Sequence, residues 1–376
     1  IEHFRARDDT PWRAVAGRFT SGMSVGQVLL RRERRCSEVP CKGSMMVMDL
    51  SGLVRLLALY GCCFATGWLF VAIGMPLPYM IGPLLLTATL YITGRMKTPI
   101  SARTRPYGQM IIASTVGLAF TPAALLVILE MGLEIVGLAV LTGLCALFVS
   151  LLLKRFTRLD YSTALLCTLP TSPVEAAVIA ERFGLDKGVV VLSQTIRIAS
   201  VVVIIPIALY VADGCPGSAG RTLGATGALD IGGIALLGVS ALAGAMLFKW
   251  LRLPNPYFFG ALLISAAVSS SGLPVAPYPS LVLAMAQVVL GTWLGSVFTR
   301  ELFVEMKLTF SIILSMLLFL LLTSMMAVAF AGLTGLPWEV MVLSAAPGGV
   351  TEMALTAQFL GCLLYTSDAA DDLLCV

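Results

Sequence analysis

The sequence predicts an all-α membrane protein built from two tandem homologous repeats, and three observations lead to this fold class. Apolar residues make up 58% of the 376 residues and charged residues only 12%, about half the charged share of a typical soluble domain. Several charge-free runs, such as Gly108–Leu129 and Leu308–Ala331, reach the length of about 20 residues that a bilayer requires. The third observation is that long stretches of sequence recur at an offset of 177 to 178 positions.

The two ends of the chain differ in composition from the apolar middle. Residues 1–47 are polar and rich in arginine, which predicts either a basic cytoplasmic or nucleic-acid-binding arm or a non-native extension. Residues 362–376 bring three aspartates to a place where the repeat requires an apolar helix, so we interpret them as a non-native read-through tail. The expected domains are therefore repeat 1 (48–212), a Gly-rich linker (213–230) and a truncated repeat 2 (231–361).

The first repeat divides into five predicted membrane spans at proline-rich and charged turns. Met75–Met80, which contains two prolines, separates the first span from the second, and a basic loop separates the second from the third. A turn with two glutamates leads to the fourth span, which ends before a basic cluster. The predicted spans are Leu50–Gly74, Tyr79–Gly94, Gly108–Leu129, a segment that ends near Leu153, and Gly188–Ala212.

One stretch with a helix break is written twice. Leu169–Gly184 (LPTSPVEAAVIAERFG) recurs as Ala346–Gly361 (APGGVTEMALTAQFLG). Each copy combines helix-breaking residues with a carboxylate inside an apolar region, and unpaired backbone at membrane depth survives only against protein or a wet cavity. The pair is therefore the first candidate for a functional site. Its helix-breaking residues are Pro170, Pro173, Pro347, Gly348 and Gly349.

The distribution of charge predicts that the two repeats have opposite orientations. Basic residues favour the cytoplasmic side of short loops. The loop before the third span is basic and includes Arg105, whereas its counterpart near Gly272–Pro279 is uncharged. Conversely, the Met75–Pro78 turn is uncharged, and its counterpart is flanked by Lys249 and Arg252. Because an inverted repeat needs an odd number of crossings in each half, the Leu169–Gly184 stretch is expected to be re-entrant.

Glu175 and Glu352 are the leading candidate residues, because each occupies the same place in one copy of the break. One interpretation makes them proton- or cation-coupling carboxylates, since an intramembrane carboxylate must be neutral, paired or hydrated. The other interpretation makes each a first-turn carboxylate that stabilises the following helix. In that case Thr171, Ser172 and Thr351 would be its caps or would contribute to the same site.

Four further polar residues are expected inside apolar segments. Arg197 lies near the middle of a long apolar span, either as a substrate-anion ligand or counter-ion for Glu175 or as a structural ion-pair partner. Gln194 lies three positions earlier and shares its helix face. Gln109 and Gln287 open equivalent helices, either as hydrogen-bonding residues between helices or as part of a substrate path.

The sequence also argues against several function classes. The only histidine, His3, lies in the N-terminal region, so we expect no histidine-built copper, iron or zinc centre. No P-loop, GxGxxG, HExxH or GxSxG motif stands in a suitable context, and we therefore expect no cofactor and no enzymatic activity. Direct binding of nucleic acid is not expected either.

The duplicated motifs resemble those of the membrane family AbrB, also labelled AbrB-duplication or ammonia monooxygenase. The matching pairs are PYMIGPLL with PYFFGALL, QMIIASTVGLAFT with QVVLGTWLGSVFT, and PTSPVEAAVIAERFG with PGGVTEMALTAQFLG. The resemblance covers about Leu50 to Gly361, and the first-copy PTSPVEA departs from it by lacking the double glycine. It implies at most a role in regulating gene expression from the membrane, and the monooxygenase label fits poorly because the membrane region contains no histidine.

These observations predict a multi-pass protein of the bacterial inner membrane with a transporter-like architecture. The expected function is to move or bind a small solute or ion with proton or cation coupling. The alternative is a membrane-bound regulator or sensor that binds a ligand in the same cavity without transport. The expected partners are the lipid bilayer and a small-molecule or ion ligand, and the chain is a candidate homo-oligomer.

Overall fold

A computed structural model describes residues 50–96, 100–101, 103–120, 131–157, 159–212, 230–253, 255–298 and 306–360. Within these ranges the chain forms thirteen helices and no strand. They are α1 (Leu50–Ala72), α2 (Pro78–Ile92), α3 (Arg105–Gly117), α4 (Gly132–Phe156), α5 (Tyr161–Thr168), α6 (Pro173–Arg182), α7 (Lys187–Ala212), α8 (Ile231–Trp250), α9 (Pro256–Ser270), α10 (Ser280–Ser296), α11 (Met306–Thr334), α12 (Trp338–Ala345) and α13 (Val350–Leu360).

The prediction of an all-α membrane-type fold is confirmed. Five helical segments are long and apolar enough to cross a membrane: Val54–Ala72, Gly132–Phe156, Lys187–Ala212, Ile231–Trp250 and Leu308–Thr334. Many of their large apolar side chains face outwards, as lipid-facing residues do. The chain divides into two units between Leu53 and Val54, and α2 to α13 all belong to the second unit.

The third predicted span is wrong in its described part. The sequence predicts one helix over Gly108–Leu129, but α3 begins earlier, at Arg105, and ends at Gly117. Pro122 follows in the sequence; it cannot donate a hydrogen bond to the carbonyl of Leu118 and disfavours a helical residue before it. The end of the predicted span, residues 121–129, lies outside the described residues, as do residues 1–49, 213–229 and 361–376.

Two short helices begin with the same unusual backbone. Leu77, before α2, has φ 46° and ψ 51°, and Asn255, before α9, has φ 45° and ψ 56°. Each left-handed residue is followed by a proline at the start of the helix, where the missing N–H costs no intrahelical bond. The two helices are of equal length, 15 residues.

Glycines allow close contacts between two pairs of helices. α2 packs against α10, and α3 packs against α9. A Cβ atom added at Gly117 would lie 2.8 Å from the carbonyl oxygen of Leu262, and one added at Gly295 would lie 2.5 Å from that of Leu84. Small residues let helix backbones approach closely, which is how membrane helices commonly associate.

Two of the long membrane-type helices, α4 and α11, pack antiparallel. Gly137 near the start of α4 faces Phe330 near the end of α11. Further along α4, Cys145 contacts Met326 with a sulfur–sulfur distance of 3.8 Å, and Val149 shares an apolar cluster with Phe319. Residue numbers therefore fall along α11 as they rise along α4.

Candidate functional site

The first helix break occupies four non-helical residues between α5 and α6, Leu169–Ser172. The N–H of Thr171 donates to the carbonyl oxygen of Leu169 at 2.8 Å, which makes a tight turn. Prolines at positions 170 and 173 remove two backbone donors, so the preceding helix cannot continue through the turn.

The second break, Ala346–Gly349 between α12 and α13, repeats this geometry. The N–H of Gly348 donates to the carbonyl oxygen of Ala346, again at 2.8 Å. A Cβ atom added at Gly348 would lie 2.8 Å from Cγ1 of Val201, and Gly349 lies against the carboxylate of Glu352. The double glycine of this copy therefore makes room for neighbouring side chains.

Buried side chains of α7 satisfy the carbonyl groups that the first break leaves free. Arg197 is 2% exposed and donates from Nη1 to the carbonyl oxygen of Leu169 at 2.8 Å and from Nη2 to that of Thr171 at 2.9 Å. Gln194 donates from Nε2 to the carbonyl oxygens of Leu166 at 2.7 Å and Leu169 at 3.0 Å. These two residues thus bind the broken segment to α7.

Arg197 therefore has different neighbours from those predicted. The sequence suggested a substrate-anion ligand, a counter-ion for Glu175 or a structural ion pair, but the guanidinium donates to backbone oxygens. Among the described residues, the ion pair that forms does not involve Arg197: it joins Lys187 to Glu181 at 3.1 Å on the surface. Backbone carbonyl oxygens carry partial negative charge and accept hydrogen bonds. They can therefore hold a buried cation without an acidic side chain.

A cavity of about 270 Å³ brings the two breaks together. Pro173, the first residue after the first break, and Gly349, the last residue of the second, both line it, and α7 and α10 contribute mostly apolar side chains. Arg105 and Glu352 are the charged residues of its lining. The remaining lining residues are Ala177, Val191, Thr195, Ile198, Trp293, Leu294 and Val297.

The two candidate carboxylates have different environments. Glu352, in the first turn of α13, is 7% exposed and lines the cavity. Glu175, at the equivalent place in α6, is exposed and lies outside that lining. Helix α13 packs against α3, α7 and α12, whereas α6 packs mainly against α7. The same motif therefore yields one enclosed and one accessible carboxylate.

Arg105 is a cavity residue that sequence reasoning assigned only to a basic loop. It is the first residue of α3, and its guanidinium carbon lies 4.3 Å from the centre of the Trp293 ring, a cation–π contact. It is also the side chain whose charge acts on Glu352. Its position one helical turn before Gln109, a candidate site residue, could have indicated from the sequence that it belongs to the same site.

Some of the predicted glutamine and hydroxyl side chains form hydrogen bonds with other helices, and others have polar atoms without a partner in the described structure. Buried Gln109 donates from Nε2 to Thr351 Oγ1 at 3.2 Å and thereby joins α3 to α13. Buried Gln287 has no hydrogen-bond partner for its Oε1 atom within the described structure. The predicted caps are not formed: Ser172 makes no cap hydrogen bond, and Thr171 Oγ1 has no partner among the described residues.

The Gln109–Thr351 hydrogen bond is expected to couple α3 to α13 energetically. In a double-mutant cycle with Gln109→Leu and Thr351→Val, we expect a coupling free energy of about 0.5–1.5 kcal/mol, the range found for hydrogen bonds between membrane helices. Unfolding of the four proteins in detergent measures it. Strict additivity of the two substitutions would show that the bond does not form.

No group of three or more His, Cys, Asp or Glu side chains able to hold a metal ion occurs among the described residues. The cavity lining offers one carboxylate, one hydroxyl and one guanidinium. Such a set suits binding of a small charged or polar ligand rather than a transition metal.

Comparison with known proteins gives two matches. The family model described as "Transition state regulatory protein AbrB" matches residues 94–363, a range that contains both breaks and every cavity residue. The chain is also similar to the uncharacterized protein YhjN of Bacillus subtilis (strain 168). The identity is 27% over 317 residues, which cover 78% of this chain and 82% of the relative.

Proposed function

This chain belongs to the AbrB family, and on that premise we propose that it binds a small solute in the cavity between its two helix breaks and carries it across the membrane. We further propose that the two halves are inverted repeats and that movement of a proton or cation drives transport. No catalytic step is part of this proposal. The proposed location is the bacterial inner membrane.

The observation that carries the proposal is the shared cavity. Pro173, next to the first break, and Gly349, in the second, lie 176 positions apart in the sequence, yet both line one cavity with a buried carboxylate and a guanidinium. In secondary transporters, substrate and coupling-ion sites are formed by interrupted helices at the interface between repeats. A purely structural break would not need an enclosed space with charged side chains.

Equivalent local geometry supports an internal duplication. Helices α5 and α12 begin at Tyr161 and Trp338, and α6 and α13 begin at Pro173 and Val350, in both cases at the offset that the sequence predicts. The two breaks share the same tight turn, and α2 and α9 share the same left-handed start. Two unrelated segments would have no reason to share these irregular features.

The direction of packing supports inversion. Under the duplication, α4 corresponds to α11, and these equivalent helices pack antiparallel. Under the same duplication, α2 corresponds to α9 and α3 corresponds to α10. The contact between α2 and α10 is therefore equivalent to the contact between α9 and α3. Antiparallel equivalent spans cross a membrane in opposite senses, as required when a pseudo-twofold axis lies in the membrane plane.

Glu352 is the proposed coupling residue. A carboxylate enclosed at membrane depth is costly to keep ionised unless a cation or water accompanies it, so its charge state depends on what else occupies the cavity. Glu175 occupies the same place in the duplicated motif, but its carboxylate is exposed. Its charge state therefore depends less on what occupies the cavity.

Transport can be tested by solute uptake into proteoliposomes that contain the full chain. With an imposed pH gradient, we expect a compound from a panel of small acids, amines, sugars and alkali cations to accumulate. Glu352→Gln should reduce that uptake to the level of protein-free liposomes, whereas the matched variant Glu175→Gln should retain it. Gradient-driven uptake that persists in Glu352→Gln would overturn the coupling assignment.

The second candidate function is a membrane sensor that regulates gene expression. It is favoured by the description of the matching family model, which names a regulatory protein. A sensor would bind its ligand in the same cavity without net movement across the bilayer. Saturable binding to the purified protein without uptake by proteoliposomes would therefore support the sensor over the transporter.

A further inference from the structure

The cavity contains one permanent positive charge. Arg105 cannot lose its proton under ordinary conditions, and it is the only cationic residue among the described residues that line the cavity. Its Nε atom is buried and has no hydrogen-bond partner in the described structure. One face of the guanidinium lies over Trp293, which leaves its edge as the hydrogen-bonding surface. Arg105 thus brings a positive charge to the cavity lining and keeps one buried donor unpaired.

Glu352 does not occupy these donors. No ion pair between Glu352 and Arg105 is formed among the described residues, although the charge of Arg105 acts on the carboxylate. The Glu352 carboxylate instead lies against Gly349, at the start of α13. When Glu352 is ionised, the two charges balance within the cavity, and when it is protonated, the guanidinium is left without a counter-charge.

The remaining lining favours one chemical class of counter-charge. Seven of the other lining residues are alanine, valine, isoleucine, leucine, tryptophan or proline, so the cavity suits a ligand with an apolar portion. A volume of about 270 Å³ corresponds to roughly nine water molecules at ~30 Å³ each. Fully hydrophilic anions such as phosphate or sulfate would lose their hydration without compensation at such a surface.

We propose that the solute is a small monocarboxylate with an apolar tail, and that its binding to Arg105 is linked to uptake of one proton by Glu352. This inference rests on the proposed solute site and names its substrate class. The solute carboxylate accepts hydrogen bonds from the guanidinium, and a proton from water converts the Glu352 carboxylate to a carboxylic acid. The net charge of the cavity is then the same before and after binding, and one anion and one proton enter together.

The other charged and titratable groups near α13 do not replace Arg105 in this scheme. The helices that pack against α13 are α3, α7 and α12. Besides Arg105, they carry Tyr107 on α3, Lys187, Arg197 and Tyr210 on α7, and Glu339 on α12. Arg197 donates to backbone carbonyls, Lys187 pairs with Glu181, and of these groups only Arg105 acts on Glu352.

Calorimetric titration of the purified full chain with benzoate and butyrate tests the proposal. Titrations in buffers of different ionisation enthalpy give the number of protons taken up with each ligand. Where Glu352 of the unliganded protein is ionised, we expect about one proton per carboxylate for the wild type and an affinity that falls about tenfold for each further pH unit. Butylammonium and inorganic phosphate are the probes expected not to bind.

Two variants separate the roles of the two charged residues. Glu352→Gln, which mimics the protonated acid, should bind benzoate with no proton uptake and no pH dependence. Arg105→Gln should lower the affinity about 10- to 100-fold, the usual cost of removing a charge-assisted hydrogen bond. Glu175→Gln and Arg103→Gln, which change exposed charges, should behave as the wild type.

The outcomes also distinguish this inference from the proposed function. Binding of butylammonium in place of benzoate, or benzoate binding with unchanged proton uptake in Glu352→Gln, would overturn the inference. If an amine, sugar or metal cation is carried in proteoliposomes while carboxylates do not bind, transport stands and the substrate class is wrong. Should Arg105→Gln fail to fold, proton uptake in the wild type and in Glu352→Gln still decides the question.

Discussion

Replacement of Arg197 by methionine is expected to destabilise the folded protein by about 2–5 kcal/mol. The substitution keeps a long side chain but removes both donors to the broken segment. The carbonyl oxygen of Thr171 then loses the donor it receives from Arg197, while that of Leu169 retains its bond from Gln194. Chemical or thermal unfolding in detergent measures the loss.

Arg182→Met is the matched control for this prediction. Arg182 is exposed at the end of α6, so the same change of residue type there removes a charge without breaking a buried contact. We expect no measurable change in stability. A fully stable Arg197→Met variant that no longer binds solute would contradict the structural role and would restore the ligand role that the sequence suggested.

Substitution of Gly244 by alanine is expected to be the second large effect. Helices α8 and α9 cross at Gly244 and Gly260, and an added Cβ at Gly244 would lie 2.7 Å from the carbonyl carbon of Gly260. Because the obstacle is backbone, the helices must separate, and overpacking of this kind costs about 1–3 kcal/mol. That loss exceeds the gain of about 1 kcal/mol in helix propensity that alanine brings.

Gly238→Ala on the same helix provides the comparison. Its added Cβ would meet Tyr278 Oη at 3.7 Å, an ordinary contact, so the propensity gain should leave stability unchanged or slightly raised. The measurement is the unfolding temperature of both variants in the same detergent. Equal unfolding temperatures for Gly244→Ala and Gly238→Ala would show that α8 and α9 can separate at Gly244 and Gly260 without loss of stability.

Sequence reasoning located the helices well because the signals are local. The apolar run of Gly188–Ala212 corresponds to α7, and Leu308–Ala331 lies within α11. Prolines likewise marked the two breaks, since their effect on the backbone does not depend on distant residues. The predicted end of the third span was wrong for a related reason. The apolar sequence continues past the end of α3, and the length of this run outweighed the helix-breaking effect of Pro122 in the prediction.

The candidate site was harder to predict because its properties arise from packing. Glu175 and Glu352 occupy the same motif, yet only the neighbours of α13 enclose its carboxylate. Arg105 looked like a residue that sets membrane orientation, and nothing in the local sequence indicates that Trp293 lies under it. Arg197 was expected to bind an anion or an acidic side chain, whereas backbone oxygens freed by a break 26 to 28 positions earlier accept the hydrogen bonds of its two Nη atoms.

The hydrogen bonds from α7 to the first break have a mechanical consequence. Five side-chain hydrogen bonds from Arg197 and Gln194 tie the carbonyls around Leu169 to α7, so α5, the break and α7 should move as one rigid body. Helix α13, which follows the second break, is joined to α3 by one described side-chain hydrogen bond, from Gln109 to Thr351. We therefore expect the hinge of any opening motion to lie on the α13 side of the cavity, with the α7 side acting as its fixed wall.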